Sequence, residues 1–319
     1  MDIIGILTFV LVDAIKAGTP LLFATLGEII TEKVGNLNLG VEGMMLMGAV
    51  MGFGVGLSTG NPVMGIAASL VAGACGALIF AFLTITLRAN QIVSGLSLTI
   101  FGTGFASFVG QSNFFGKKLI GEALPESMKS VFRAVKIPFL SDIPVIGPAL
   151  FHQDILVYAG YAAAIILGIY LYKTRTGLNM RTIGENPGAA DTAGINITLY
   201  KYVHILIGGA LAGLGGAYLS LVTVPSWQDA VTGGKGWIAV ALVIFITWNP
   251  YKATLGAYFF GGLSILGLYL QSHVPIPQSI FDMLPYIATI IVLIMISLKK
   301  SKENNPPDAL GAPYFREER

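Results

Sequence analysis

Charge is scarce in this chain. Only 11% of its 319 residues are Asp, Glu, Lys or Arg, against about 25% in an ordinary soluble domain. A water-soluble fold of this length would have too few charges to cover its surface. Lipid as the solvent removes that difficulty. Cysteine is reduced to Cys75, inside an apolar run, which excludes an internal disulfide and leaves no Cys/His spacing of a metal site. The histidines His152, His204 and His273 stand far apart and read as polar residues of loops and helix ends rather than ligands. The net charge of +2 points to no nucleic-acid partner. No Gly-x-x-x-x-Gly-Lys-Ser/Thr phosphate loop occurs, since the run from Gly233 to Gly236 lacks both the spacing and the hydroxyl. Nor is there a paired-carboxylate, Ser/His or His/Glu constellation that would support an enzyme.

What the chain has is apolar length. Hydrophobic residues make up 54%, and the mean hydropathy is +0.75. Crossing about 30 Å of hydrocarbon takes roughly 20 apolar residues. The qualifying runs are about 3–26, 39–58, 62–87, 91–111, 154–172, 201–223, 237–248, 251–271 and 285–298. These predict an all-α, polytopic transmembrane bundle of about 8–10 helices, with one membrane domain over 1–298 and a charged tail over 299–319. Asp2 stands where a cleavable signal would be basic, so the first run is expected to be retained as a span. The 40 glycines follow no Gly-X-Y period. Gly48, Gly52 and Gly56, and again Gly209 and Gly213, are spaced by four, which suits helices packed backbone to backbone.

Lys and Arg set the expected orientation in a plasma membrane. Lys173, Arg175, Arg181 and Lys201 place the 173–201 connection inside, and Lys299, Lys300, Lys302, Arg316 and Arg319 do the same for the tail. The connection at about 112–153 would lie outside, although Lys117, Lys118, Lys129, Arg133 and Lys136 argue the other way. It is expected to hold a short helix near Ser127 to Val135. The tail, with Pro306, Pro307 and Pro313, reads as mobile.

The inner segment 181–196 carries a short helix in its punctuation. Asn186 is a good N-cap, Pro187 fits the first helical position, and Gly194 suits the left-handed position after the end. Small residues between them, Ala189, Ala190 and Ala193, suit either a docking element or an ordinary loop.

Gly184, Glu185, Asn186, Pro187, Ala189, Ala190 and Gly194 resemble the coupling segment of permease subunits in ABC importers of the ribose/branched-chain amino acid class. Three other stretches agree: Val34 to Gly48, Asn90 to Leu96, and Gly233 to Ala239 followed by Trp248 to Pro250. Within that class the Asn-Leu-Gly-Val-Glu-Gly run from Asn38 to Gly43 looks most like the nucleoside branch, whose receptors are basic-membrane-protein-type lipoproteins and which includes guanosine permeases. The resemblance implies a second, related permease as partner, a cytoplasmic ABC ATPase that binds ATP and Mg, and an external solute-binding lipoprotein. The chain itself would bind no cofactor, and Arg181 through Gly194 would contact the ATPase.

Glu42 is the outstanding intramembrane charge, set among Asn36, Asn38, Gly35, Gly40 and Gly43 in a pattern that could break a helix. It reads either as part of the solute pathway or as a support for a broken helix end. A neutral nucleoside wants amides, hydroxyls and aromatic faces, which nominates Asn38, Gln91, Ser94 and Trp227 beside Glu42. Trp227 also suits an outer gate, a receptor contact or the membrane interface. Asp13 and Lys16 share a helix face and read as a structural pair. Alternatives are the same machine for ribose-like sugars or branched-chain amino acids and, from another class, an ion-coupled secondary transporter. The latter is thinly supported by so few buried charges.

Overall fold

The computed structural model describes residues 3–271, 277, 280–281, 283–298 and 305–315. Each of the nine apolar runs coincides with a helix: α1 (Ile3–Lys33), α2 (Val41–Thr59), α3 (Pro62–Ala81), α4 (Gln91–Gln111), α7 (Ile155–Lys173), α10 (Ile197–Tyr218), α11 (Lys235–Phe245), α12 (Pro250–Gln271) and α13 (Leu284–Leu298). Four short helices lie between them: α5 (Glu126–Val131), α6 (Ile146–Phe151), α8 (Arg175–Glu185) and α9 (Pro187–Thr192). Among the described residues, six helices are long and apolar enough to cross a membrane. The protein is a multi-pass membrane helical bundle. His273 and the basic residues at 299–302, 316 and 319 lie outside the described residues.

α1 runs seven residues beyond the apolar stretch read from the sequence, through Glu28, Glu32 and Lys33. Charge ended the run on paper. In the fold both carboxylates are buried against polar partners, so the helix continues. α3 and α10 each finish in a π-turn, Phe82–Thr86 and Leu219–Thr223, a wide turn common at functional sites.

The core seam joins α2, α3 and α10 through glycine. A Cβ on Gly48 would overlap the Gly213 backbone, and one on Gly213 would overlap Ser69 and Gly73. Helices that touch backbone to backbone gain van der Waals contact that lipid cannot supply. On the neighbouring helices α4, α7 and α12, Ile100, Phe108, Ile166 and Leu255 are exposed, as a lipid-facing surface requires.

The 112–153 connection folds into a cap. It includes α5 and α6 and an antiparallel pair of two-residue strands, β1 (Val135–Lys136) and β2 (His152–Gln153). Its basic residues are locally neutralised: Lys117 pairs with Glu122, Lys129 and Arg133 with Glu126, and Lys136 with Asp142. The tail departs from expectation. Residues 305–315 pack against the opposite end of the bundle from the cap, with Leu310 and Tyr314 against the core. Backbone hydrogen bonds and two apolar side chains outweigh the polar, proline-containing composition there.

Gly48→Leu is predicted to destabilise the chain by about 1–3 kcal/mol or more through overpacking, read as thermal unfolding in detergent. Gly104→Leu is the control, because a Cβ at Gly104 meets nothing within 4 Å.

Candidate functional site

Two polar constructions stand out, a joint inside the bundle and, at its end, the helix pair nominated for docking. The joint begins where α1 stops. Residues 34–40 are not helical; they turn back along the helix they have just left. The Asn38 amide and its Nδ2 donate to Glu28 Oε1 and Oε2 at 3.1 and 3.3 Å, and Asn38 Oδ1 accepts the Gly40 amide at 2.9 Å. Asn38 is thus level with Glu28, more than a helical turn above the end of α1. Gln91, the first residue of α4, accepts the Leu37 amide at 2.7 Å, and Thr99 donates to the Leu39 carbonyl at 2.9 Å. Gly43 touches Leu98, seven residues into α4, which is about 10 Å at 1.5 Å per residue. α2 therefore starts inside the bundle. Irregular backbone at that depth is tolerated because protein groups satisfy it.

Glu42 lies in the first turn of α2 and is 7% exposed. Its Oε1 accepts the Gly234 amide at 2.9 Å and the Thr232 hydroxyl, and its Oε2 accepts the Gly236 amide at 2.6 Å. Gly234 caps α11, so one carboxylate serves the positive N-terminal ends of both α2 and α11. A Cβ on Gly236 would strike the Glu42 backbone, so glycine is what lets α11 approach. At the other end of α11, Thr247 and Trp248 both hold positive φ, 55° and 53°, an uncommon state for a β-branched or bulky residue. Trp248 Nε1 donates to Glu32 Oε2, and Lys33 lies 5.8 Å from the centre of the Trp248 ring.

Of the sequence candidates, Asn38, Glu42 and Gln91 fall in this joint, and Ser94 is buried one turn along α4 from Gln91. Trp227 does not join them. It is 1% exposed at the far end of α4, against Gly110 and with its ring centre 6.1 Å from that of Phe53. That burial removes it from the membrane interface and from the outer surface. Glu28 and Glu32 were missed by the sequence reading. The available signal was their i,i+4 spacing just before an Asn/Gly-rich segment. Asp13 and Lys16 make no direct ion pair. They border a cavity of about 470 Å³ with Arg133, Asp154 and Tyr218. Tyr218 donates to Asp154 at 2.7 Å.

The docking element expected from the sequence corresponds to α8 and α9. Thr174 caps α8, accepting the Gly177 amide at 3.0 Å, and Asn186 caps α9, accepting the Ala189 amide at 2.9 Å. Pro187 takes the first turn, and Gly194 has φ 78°. Ile183 and Ala190 are buried, whereas Glu185, Asn186, Ala189 and Gly194 are exposed. Arg181 lies over the Tyr172 ring at 5.4 Å. A Cβ at Gly184 would collide with the Lys33 carbonyl, so α8 rests directly on the end of α1. The tail straps the element down. Ala309 donates to the Gly184 carbonyl at 3.0 Å, Gly311 to the Gly35 carbonyl at 3.2 Å, and Tyr314 to Asp191 at 2.9 Å. Among the described residues, no group of three His, Cys, Asp or Glu could hold a metal.

The profile of the family described as branched-chain amino acid transport system, permease component, matches residues 10–293. The chain belongs to that family. It is a transmembrane permease subunit of an ABC importer. It is 38% identical to a Haloferax volcanii protein, TsgC13, provisionally named a glucose ABC transporter permease, over 95% of this chain and 96% of that one. It is 34% identical to the guanosine ABC transporter permease NupQ of Bacillus subtilis, over 100% of both. A solved ABC transporter in an inward-facing conformation, provisionally of metal-chelate type, shares the fold. Its TM-score is 0.52 at 12% identity, over 89% of this chain and 85% of that one.

Two outcomes test this geometry. Glu42→Ala strands three donors, at roughly 1–3 kcal/mol for each that stays buried and unpaired. The melting temperature in detergent should fall well below wild type, and an unchanged profile would contradict the joint. Deleting residues 305–319 should raise amide hydrogen exchange across 184–195, and equal protection in both forms would mean that the strap restrains nothing.

Proposed function

We propose that this permease imports a neutral carbohydrate-bearing solute, a monosaccharide as the leading class, and that α8 and α9 receive the motion of a cytoplasmic ABC ATPase. A second, related permease completes the channel, and an external lipoprotein receptor delivers the solute. The observation that carries the coupling reading is the seat of α8. Gly184 brings it into backbone contact with the end of α1, and α1 in turn holds α2 through Glu28 and Asn38. A push on α9 therefore reaches the joint without crossing a flexible loop. Such a segment would bias inward against outward opening through contacts that differ between the two states.

The solute class rests on likeness. The full-length similarity to the Haloferax glucose-type permease favours a sugar. The likeness to the Bacillus guanosine permease supports a nucleoside as the second reading, and a hydroxylated sugar ring is common to both. Asn38, Gln91 and Ser94 remain the candidate pathway groups, and Trp227, buried against Gly110 and Phe53, stands apart from them. Glu42, fully engaged with the start of α11, is better suited to shaping the path than to binding solute.

Uptake of labelled glucose and labelled guanosine, measured with and without the gene, separates the readings. Loss of glucose uptake alone is the expected result, loss of guanosine uptake would establish the nucleoside reading, and loss of neither would contradict both. Glu185→Arg reverses charge on the exposed face of the docking element. It should abolish uptake while leaving abundance in the membrane unchanged; normal uptake would remove Glu185 from the coupling contact.

A further inference from the structure

A cavity of about 480 Å³ opens at the start of α10, between the docking element and the end of α3. Its walls include Thr84, Arg88, Asp191, Thr198, Lys201 and Tyr314. Lys201 is 5% exposed. Among the described residues no hydrogen bond or ion pair reaches its ammonium. A buried ammonium without a protein partner is costly, and this one lines the cavity, so a ligand held there can pair with it. α10 is a 22-residue helix, and the Asn196 side chain caps it through the Leu199 amide at 3.0 Å. The amides of Ile197 and Thr198, ahead of that bond, have no acceptor within the helix, and the positive end of the helix faces the same space. Arg88 supplies a second cation to the lining, its guanidinium 4.6 Å from the centre of the Phe315 ring of the strap. The acid on the wall, Asp191, already accepts the Tyr314 hydroxyl at 2.9 Å.

We propose that this cavity binds a phosphate group, either as a free phosphate anion or as the head of an anionic phospholipid. Two cations from separate segments and a helix N-terminus line one volume, a donor set that matches the spread charge of a phosphate better than a single carboxylate. The bound group bridges α3, α10 and the strap. Occupancy therefore holds the docking element against the bundle, so the site adds a chemical input to the coupling device itself.

The test uses the full-length chain purified in a neutral detergent. Thermal unfolding is followed with inorganic phosphate against chloride at equal ionic strength. Native mass spectrometry compares retention of phosphatidylglycerol with that of phosphatidylcholine. Wild type should be stabilised by phosphate, or retain phosphatidylglycerol selectively, or both. Phosphate alone identifies a soluble anion, and phosphatidylglycerol alone identifies a lipid head. Lys201→Met should weaken the effective probe by about tenfold or more, which is roughly 1.4 kcal/mol, and Lys201→Arg should keep it. Without any probe, Lys201→Met should melt at or above wild type, because an unpaired buried charge has been removed. The proposal is overturned if neither probe acts on wild type, if Lys201→Met binds as well as wild type, or if that variant melts lower than wild type in the absence of probe.

Discussion

Buried carboxylates hold the ends of interrupted helices together, and the rest of the architecture depends on that. Glu28 fastens the returning segment at Asn38, Glu42 fastens the start of α11, and Glu32 fastens the turn after it at Trp248. In hydrocarbon every unpaired amide is costly. A helix that begins inside the bundle therefore needs an acceptor at its first turn, and a carboxylate accepts several amides at once. The same arrangement supplies donors in place of water: three on Glu42, two on Glu28 and the Trp248 indole on Glu32.

Glycine acts where carboxylates do not. The seam of Gly48, Gly73 and Gly213 brings α2, α3 and α10 to backbone contact, making one rigid unit. Gly184 and Gly236 do the same at the two ends of the mechanical path, under α8 and beside Glu42. On the proposed coupling role, these polar joints and glycine contacts are what would carry a displacement of α8 and α9 to α1, α2 and α11. In an ABC importer permease that is the direction in which work must travel.

Much of this was legible in the sequence. Each of the nine apolar runs coincides with a helix, and six of those helices, among the described residues, have the length that bilayer thickness sets. The short inner helix was legible because Asn186, Pro187 and Gly194 each carry a local backbone rule, and each occupies the predicted position. What failed to show depended on partners distant in sequence. Glu28 and Glu32 looked like the end of a span because Asn38 and Trp248 could not be seen beside them. The strap at 305–315 read as mobile because its hydrogen bonds go to Gly35 and Gly184. Trp227 read as a surface residue because its neighbours Phe53 and Gly110 come from other helices. The two-residue strands at β1 and β2 are too short to leave a periodicity.

The most direct test of the account is whether the exposed face of α9 touches the ATPase. A cysteine at Ala189, in a Cys75→Ser background, would be cross-linked with a short bifunctional reagent in the assembled importer. The account predicts a permease–ATPase adduct from position 189 whose yield changes with nucleotide, and no such adduct from a cysteine at Lys118 in the cap. An adduct from position 118 together with none from 189 would place the ATPase at the other end of the bundle and contradict the coupling role of α8 and α9.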